Sequence, residues 1–148
     1  MRTNSDFRDL FVELNAQKAE FIVVGAHALA AHGFVRATKD LDVWVRPETT
    51  NAARVHDALR LFGAPLQDLS PDDLACPGTV FQIGVEPVRI DIITQIDGVD
   101  FLEAWRDRIQ THYEDQPVSI LSREHLIQNK RASGRLQDLA DIERLESK

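Results

Sequence analysis

Two aspartates on a predicted strand are the first residues suited to chemistry. Asp40 and Asp42 lie two residues apart in the alternating run DLDVWV. On a strand both carboxylates project from one face, while Leu41 and Val43 point the other way into the core. Adjacent like charges are unfavourable, and a hard divalent cation such as Mg²⁺ is a common partner for oxygen ligands of this kind. The ordinary alternative is the solvated face of a half-buried sheet.

Asp91 supplies a third carboxylate, on the polar face of the alternating run RIDII. If its strand pairs with the strand of Asp40 and Asp42, the three carboxylates converge. Such a cluster can hold two metal ions roughly 3.5–4 Å apart, which activate an attacking oxygen and stabilise a leaving oxygen. That chemistry is phosphoryl or nucleotidyl transfer. Arg89, two residues before Asp91, would share its face and could pair with a carboxylate.

A glycine turn precedes the aspartates along the chain. The β-branched run Phe21–Val24 ends at Gly25, and residues 26–32 have the composition of a helix. The first N–H groups of that helix, from Ala26 to Ala28, form an anion site beside the carboxylates. This pattern predicts strand, turn and helix around a phosphate.

The composition is that of an ordinary globular domain. The chain has 148 residues, 43% hydrophobic and 28% charged, with a net charge of −7. One domain over residues 1–148 is predicted, and the acidic balance disfavours a protein that coats nucleic acid. The single Cys76 excludes an intramolecular disulfide, and no N-terminal export pattern or membrane-length apolar run is present. We therefore expect a cytoplasmic location and no membrane partner.

The helices and strands that position these residues are predicted from the alternation of polar and apolar residues, from helix-capping residues, and from the glycines and prolines that interrupt regular structure. The class is α/β (α+β). Residues 63–78 read as loop with a short turn at Pro71–Leu74. The predicted helices span 5–18, 49–61 and 100–108, followed by one from Ser122 and a last one after Gly134; the predicted strands are 21–24, 40–45, 79–84, 88–94 and 118–121.

Three parts of the sequence together carry a family resemblance. Val24-Gly25-Ala26, a spacer, Asp40-Leu41-Asp42-Val43 and a later Asp91 resemble the polymerase β-type nucleotidyltransferase superfamily. More narrowly, the segments RATKDLD, RID and NKRASGRLQDLAD are similar to small bacterial nucleotidyltransferases related to AbiEii abortive-infection toxins. The resemblance covers nearly the whole chain.

The resemblance implies a minimal nucleotidyltransferase fold: a small mixed sheet with helices mainly on one face and a C-terminal helical hairpin. It also implies transfer of a nucleoside monophosphate from an NTP with Mg²⁺ as cofactor. Two ions are expected, for which Mn²⁺ could substitute. Asp40, Asp42 and Asp91 would be the catalytic and metal-binding residues, with Asp91 as a metal ligand or general base.

The same resemblance assigns nucleotide-binding residues. Gly25 would allow the triphosphate to approach, and Ala26 would donate its N–H. Ala26 replaces the family's Ser or Gly, so a hydroxyl contact to phosphate is missing. Arg36 and Lys39 would offset the carboxylates and contact phosphate, or remain solvated.

Lys130 and Arg135 lie in a locally basic segment and are, by resemblance, further nucleotide-binding residues. The alternative is a helical hairpin in which they form surface ion pairs with Asp138 and Asp141. The nucleotide preference and the acceptor, whether RNA, protein or small molecule, stay open.

Three functions are consistent with these residues. The first is a Mg²⁺-dependent nucleotidyltransferase, such as the toxin of a toxin–antitoxin or phage-defence pair with a cognate partner. The second is a catalytically degenerate module that binds a nucleotide or a protein, as an antitoxin does. The third is a phosphotransferase acting on the terminal phosphate. The intact aspartates favour an enzyme, whereas Ala26 and the small size favour the module.

Overall fold

The computed structural model describes residues 3–33, 40–85 and 88–147. Within these ranges one six-stranded sheet is accompanied by seven helices. The strands are β1 (Phe21–Val24), β2 (Asp40–Val45), β3 (Val80–Val85), β4 (Val88–Ile93), β5 (Ile109–Tyr113) and β6 (Gln116–Ile120). The helices are α1 (Thr3–Ala16), α2 (Gly25–Ala31), α3 (Thr49–Phe62), α4 (Pro71–Leu74), α5 (Phe101–Arg106), α6 (Arg123–Ser133) and α7 (Leu136–Glu146).

The sheet is mixed, as predicted, with strand order β3-β4-β2-β1-β6-β5. β2 lies at its centre, antiparallel to β1 and parallel to β4. The parallel pairing of β2 with β4 brings together two segments that are distant in sequence. Both carry alternating polar and apolar residues, so their polar positions fall on the same face.

Helices cover both faces of the sheet. On one face α1, α3 and α4 pack against Leu41, Val43 and the other apolar residues of that row. On the opposite face α2, α5, α6 and α7 surround Ile22 and Trp44. The expectation of helices mainly on one face is therefore wrong. The physical reason is visible in β1, whose four residues are all apolar and buried, as in strands covered on both sides.

Most predicted elements are confirmed, including both strands of the glycine–carboxylate motif and the helical hairpin of α6 and α7. Gly134 separates those two helices with a φ of +69°. Strand β5 was missed and pairs with β6 through a tight turn. The turn residue Glu114 has a φ of +54°. Hairpin turns usually place Gly or Asn in this backbone conformation, and this turn contains neither. In the described part of the chain, no helix is long and apolar enough to cross a membrane.

A substitution of Phe11 would test the hydrophobic core between the sheet and helices α1, α3 and α4. Its ring is 1% exposed and lies 5.8 Å from Phe21 and 5.4 Å from Tyr113, centroid to centroid. We expect Phe11→Ala to lower the free energy of unfolding by about 3–5 kcal/mol, because it leaves a cavity. Leu61, 51% exposed on α3, is the control, and Leu61→Ala should change this energy by less than about 0.5 kcal/mol. Urea unfolding followed by circular dichroism measures both, and equal losses would contradict this assignment of the core.

Candidate active site

The register between β2 and β4 brings the three predicted carboxylates together. Asp42 lies directly opposite Asp91, and Asp40 lies opposite Arg89. All four residues project from the face that carries α2, α5, α6 and α7, while Leu41 and Ile90 point to the other core. The convergence of Asp40, Asp42 and Asp91 follows from two alternating strands placed side by side in this register.

Arg89 pairs with two of these carboxylates. Its Nη2 lies 3.0 Å from Oδ2 of Asp40, and its Nε lies 3.2 Å from Oδ1 of Asp91. A longer hydrogen bond of 3.3 Å joins Nη2 to the second oxygen of Asp91. The arginine therefore bridges the cluster, in agreement with the prediction that it pairs with a carboxylate.

Asp42 is the carboxylate most affected by its surroundings. Burial and the neighbouring charges of Asp91 and Asp40 raise its pKa to about 6, and a hydrogen bond with Asp91 contributes in the same direction. Arg89 opposes this rise but does not cancel it. A carboxylate with a raised pKa beside a second carboxylate marks an excess of negative charge that a cation would relieve.

Gly25 leaves the space beside Asp42 open. It begins α2 with a φ of +71°, and a Cβ atom built on it would collide with Oδ2 of Asp42. Only glycine meets both requirements without strain. The predicted turn therefore brings backbone directly against a site carboxylate, and Ala26 follows in the first turn of α2.

A cleft of about 240 Å³ opens at this point. Four residues that were predicted to form the site line it: Gly25, Asp42, Lys130 and Arg135. Asp40, Asp91 and Ala26 are not among its lining residues. Polar residues that were not predicted as site residues complete the wall: Gln95, Asp97, Asn129, Ser133 and Asp138. Asn129 Nδ2 donates to the carbonyl of Asp97 at 2.9 Å, which ties the loop after β4 to α6.

Lys130 and Arg135 both line the cleft and form ion pairs there. Lys130 Nζ lies 3.0 Å from Asp141 Oδ2 and 3.5 Å from Asp138 Oδ1. Lys130 and both aspartates are buried, so the expectation of surface pairs is wrong for these three residues. Arg135 Nε lies 2.7 Å from Asp138 Oδ2, but its side chain is 77% exposed. Arg135 can therefore reach a ligand at the mouth of the cleft.

The other basic residues of this segment bond to α7. Arg131 Nη2 lies 3.0 Å from Glu146 Oε2, and Arg123 donates to the carbonyl of Leu145. Much of the local positive charge is thus balanced within the hairpin. Arg36 and Lys39, the remaining predicted phosphate contacts, lie outside the described residues.

The donor set suits a hard divalent cation, since it consists of carboxylate oxygens under mutual repulsion. The raised pKa of Asp42 is the observation that supports this fit. In the ranges described, no group of three or more His, Cys, Asp or Glu side chains is already arranged around one metal position. Asp40 and Asp91 face the guanidinium of Arg89 instead.

A larger cleft lies elsewhere, near β5 and β6. Its volume is about 550 Å³, and it is lined by residues such as Trp105, Arg108 and His112. Arg108 lies over the Trp105 ring, 3.7 Å from its centroid. Among the predicted site residues that the structure describes, none lines this cleft, so size alone does not identify the place for chemistry.

Comparison with known proteins adds a family and a fold. A family model described as "Nucleotidyltransferase of unknown function (DUF6036)" matches residues 5–146. No curated protein matches the sequence. The chain is similar in structure to the lincosamide antibiotic adenylyltransferase LnuA, solved with lincomycin bound, with a TM-score of 0.59 and 16% identity over 97% of this chain and 96% of LnuA.

A second solved structure, TM1012 from Thermotoga maritima, is classed as a nucleotidyltransferase. It has a TM-score of 0.57 and 16% identity, covering 95% of this chain and 88% of TM1012. At this identity the two structures support the fold.

Gly25 is predicted to tolerate no side chain. Gly25→Ala and Gly33→Ala both place alanine at a positive φ, but a Cβ at Gly33 has none of the described residues within 4 Å. Backbone strain should destabilise both variants, whereas only Gly25→Ala must also displace the side chain of Asp42. We expect the loss of unfolding free energy to be larger at Gly25 by about 1–3 kcal/mol. Chemical denaturation compares the two, and equal losses would show that Asp42 moves aside at no cost.

Asp42 should make stability depend on pH. Its pKa is about 6 in the folded protein against an ordinary value of 3.8, so the folded state binds the proton more tightly. The contribution of Asp42 to the free energy of unfolding is therefore present below about pH 4 and is lost as the pH rises through 6. Without divalent cations, Asp42→Asn should be more stable than the wild type at pH 7.5 by about 2 kcal/mol, and close to it at pH 4.

Urea unfolding in EDTA at the two pH values measures this difference. Asp57→Asn, on the exposed face of α3, is the control and should behave as the wild type does at both. A stability of Asp42→Asn below that of the wild type at pH 7.5 would contradict the assignment.

Proposed function

The chain belongs to the DUF6036 family of nucleotidyltransferases, and on that premise we propose that it transfers a nucleoside monophosphate from an NTP to an acceptor in a Mg²⁺-dependent reaction. One observation carries the proposal. Asp42 lies beside Asp91 across the β2–β4 pair, and the cleft that Asp42 enters also contains Gly25 and Arg135. Carboxylates and an exposed guanidinium at one opening are what a metal-bound triphosphate requires.

The proposed site residues would have different roles in metal binding, phosphate binding and proton transfer. Asp42 and Asp91, with Asp40, would hold Mg²⁺, which supplies positive charge to the triphosphate when bound. Gly25 keeps the wall beside Asp42 free of a side chain. Arg135 would bind phosphate oxygens through its fork of N–H groups, while Asp138 orients the guanidinium from behind. As the alternative to binding the metal, Asp91 would act as the general base that accepts the proton of the acceptor hydroxyl.

Lys130 would have a structural role at the cleft, unlike Arg135. Its ammonium lies between Asp138 and Asp141 and is 6% exposed as a residue. We assign it the role of holding α6 against α7, so that the cleft wall is rigid. Phosphate contact by Lys130 would require it to leave two buried carboxylates, which is unfavourable.

The acceptor is the open part of the proposal. LnuA, which shares the fold, is an adenylyltransferase of a lincosamide antibiotic, so ATP is the first nucleotide to test and small hydroxyl compounds are one acceptor class. Transfer onto RNA or protein would instead suit a toxin restrained by a partner, as the resemblance to AbiEii-related enzymes suggests. The degenerate module remains the alternative, favoured by Ala26 and by the pairing of Arg89 with the carboxylates.

Calorimetry with each of the four NTPs, with and without Mg²⁺, is the first test of the site. We expect saturable binding that requires Mg²⁺ and disappears in the Asp40→Asn/Asp42→Asn double variant. Asp57→Asn, far from the cleft on α3, should bind as the wild type does. A folded wild type that binds no NTP in the presence of Mg²⁺ would count against the enzyme.

Labelled nucleotide then separates the three functions. The α-phosphate label should move to RNA, protein or small-molecule fractions, and Asp91→Asn should slow this transfer by about 10²–10⁴-fold. Movement of the γ-phosphate label instead would identify a phosphotransferase. Binding without movement of either label to any of the three fractions would support the binding module.

A further inference from the structure

Arg89 bridges two carboxylates that the proposed reaction needs for Mg²⁺. The guanidinium contacts Asp40 at 3.0 Å and Asp91 at 3.2 Å, through two different nitrogen atoms. The side chains of Arg89, Asp40 and Asp91 are 30%, 30% and 12% exposed, so these are partly buried contacts between opposite charges. Partly buried pairs of this kind are screened less by solvent than surface pairs.

The sheet builds this bridge from its register. Arg89 precedes Asp91 by two residues on β4 and therefore lies on the same face. Across the parallel pairing its Cα partner is Asp40, and across the antiparallel pairing its partner is Gly84 of β3. Because Gly84 has no side chain, no β3 side chain stands opposite Arg89 at this pairing. The register of the sheet therefore places Arg89 beside Asp40 and Asp91 at once.

The charges of the four side chains set a condition on metal binding. Asp40, Asp42 and Asp91 together carry −3 when ionised, and Arg89 brings +1. The remaining net charge of −2 would be neutralised by one divalent cation. An ion at Asp42 must take oxygen atoms from its neighbours, yet Arg89 bonds to Asp40 and Asp91. A guanidinium and a divalent cation at the same oxygens repel each other.

We propose that Arg89 is a positioning residue that keeps the carboxylate cluster closed to divalent metal until a nucleotide arrives, so that metal and nucleotide bind cooperatively. The inference rests on the proposed function and adds a form of regulation to it. The triphosphate supplies new anionic oxygens, and the guanidinium can exchange its carboxylate partners for these, since both ligands suit its planar fork. Asp40 and Asp91 are then released to the metal.

Mn²⁺ binding measured by electron paramagnetic resonance tests this exchange without any turnover. Wild type, Arg89→Gln and Arg89→Lys are titrated with Mn²⁺, alone and with a saturating ATP analogue whose α,β bridge is a methylene group. The matched control is Arg46→Gln. Arg46 is similarly exposed, at 34%, and similarly paired, with Nη1 2.9 Å from Oε1 of Glu20, but Glu20 is not one of the carboxylates proposed to hold the metal.

Without nucleotide, Arg89→Gln should bind Mn²⁺ at least about tenfold more tightly than the wild type, and Arg46→Gln should match the wild type. The analogue should raise Mn²⁺ affinity strongly in the wild type and far less in Arg89→Gln. Arg89→Lys, which keeps the charge and loses the two-nitrogen bridge, should fall between them. This loss of cooperativity is the readout that a merely structural arginine would not give.

Two results would overturn the proposal in distinguishable ways. Equal Mn²⁺ affinities of wild type and Arg89→Gln, with binding of the analogue intact, would remove the role of Arg89 and leave the nucleotidyltransferase standing. Absence of Mn²⁺ binding in both proteins, even with the analogue, would overturn the proposed function as well. If Arg89→Gln does not fold, as judged by near-ultraviolet circular dichroism, the same criteria apply to Arg89→Lys.

Discussion

The repulsion between Asp42 and Asp91 is the constraint on which this site depends. Parallel pairing of β2 with β4 sets the two carboxylates directly opposite each other, with Asp40 one step along the same face. Such a pairing is unfavourable unless opposite charge is supplied. In the structure Arg89 supplies part of it, while burial and then the charges of Asp91 and Asp40 raise the pKa of Asp42.

Charge compensation recurs at the other wall of the cleft. Lys130 lies between Asp138 and Asp141, and Arg135 bonds to Asp138 from the solvent side. The two walls therefore differ in charge: carboxylates are in excess on the sheet, whereas cations and carboxylates are near balance on the hairpin. A ligand that carries both a divalent cation and phosphate groups would complement the two walls together, whereas either component alone would complement one.

Local sequence patterns predicted the parts of the site that depend on local structure. The alternation in DLDVWV and RIDII identified strands and their polar faces, and the apolar run before Gly25 identified the turn. Pairing of Asp42 with Asp91 could be proposed only conditionally, because the register between distant strands is set by packing of the whole sheet. Strand β5 was missed because its turn uses Glu114 at a positive φ, without the usual glycine or asparagine. The burial of Lys130 was missed because charge patterns along a helix do not show which face meets the core.

The cleft draws its lining from the start of α2, the centre of β2, the loop after β4 and the hairpin of α6 and α7. These segments run from the first third of the chain to α7, so the cleft is complete only when parts of the chain that are distant in sequence have packed together. During synthesis, the wall that carries Arg135 emerges from the ribosome after the carboxylate strands have done so. A nascent chain would therefore contain the carboxylate strands before it contains Arg135, and the proposed nucleotide site would be complete only after the hairpin has been translated.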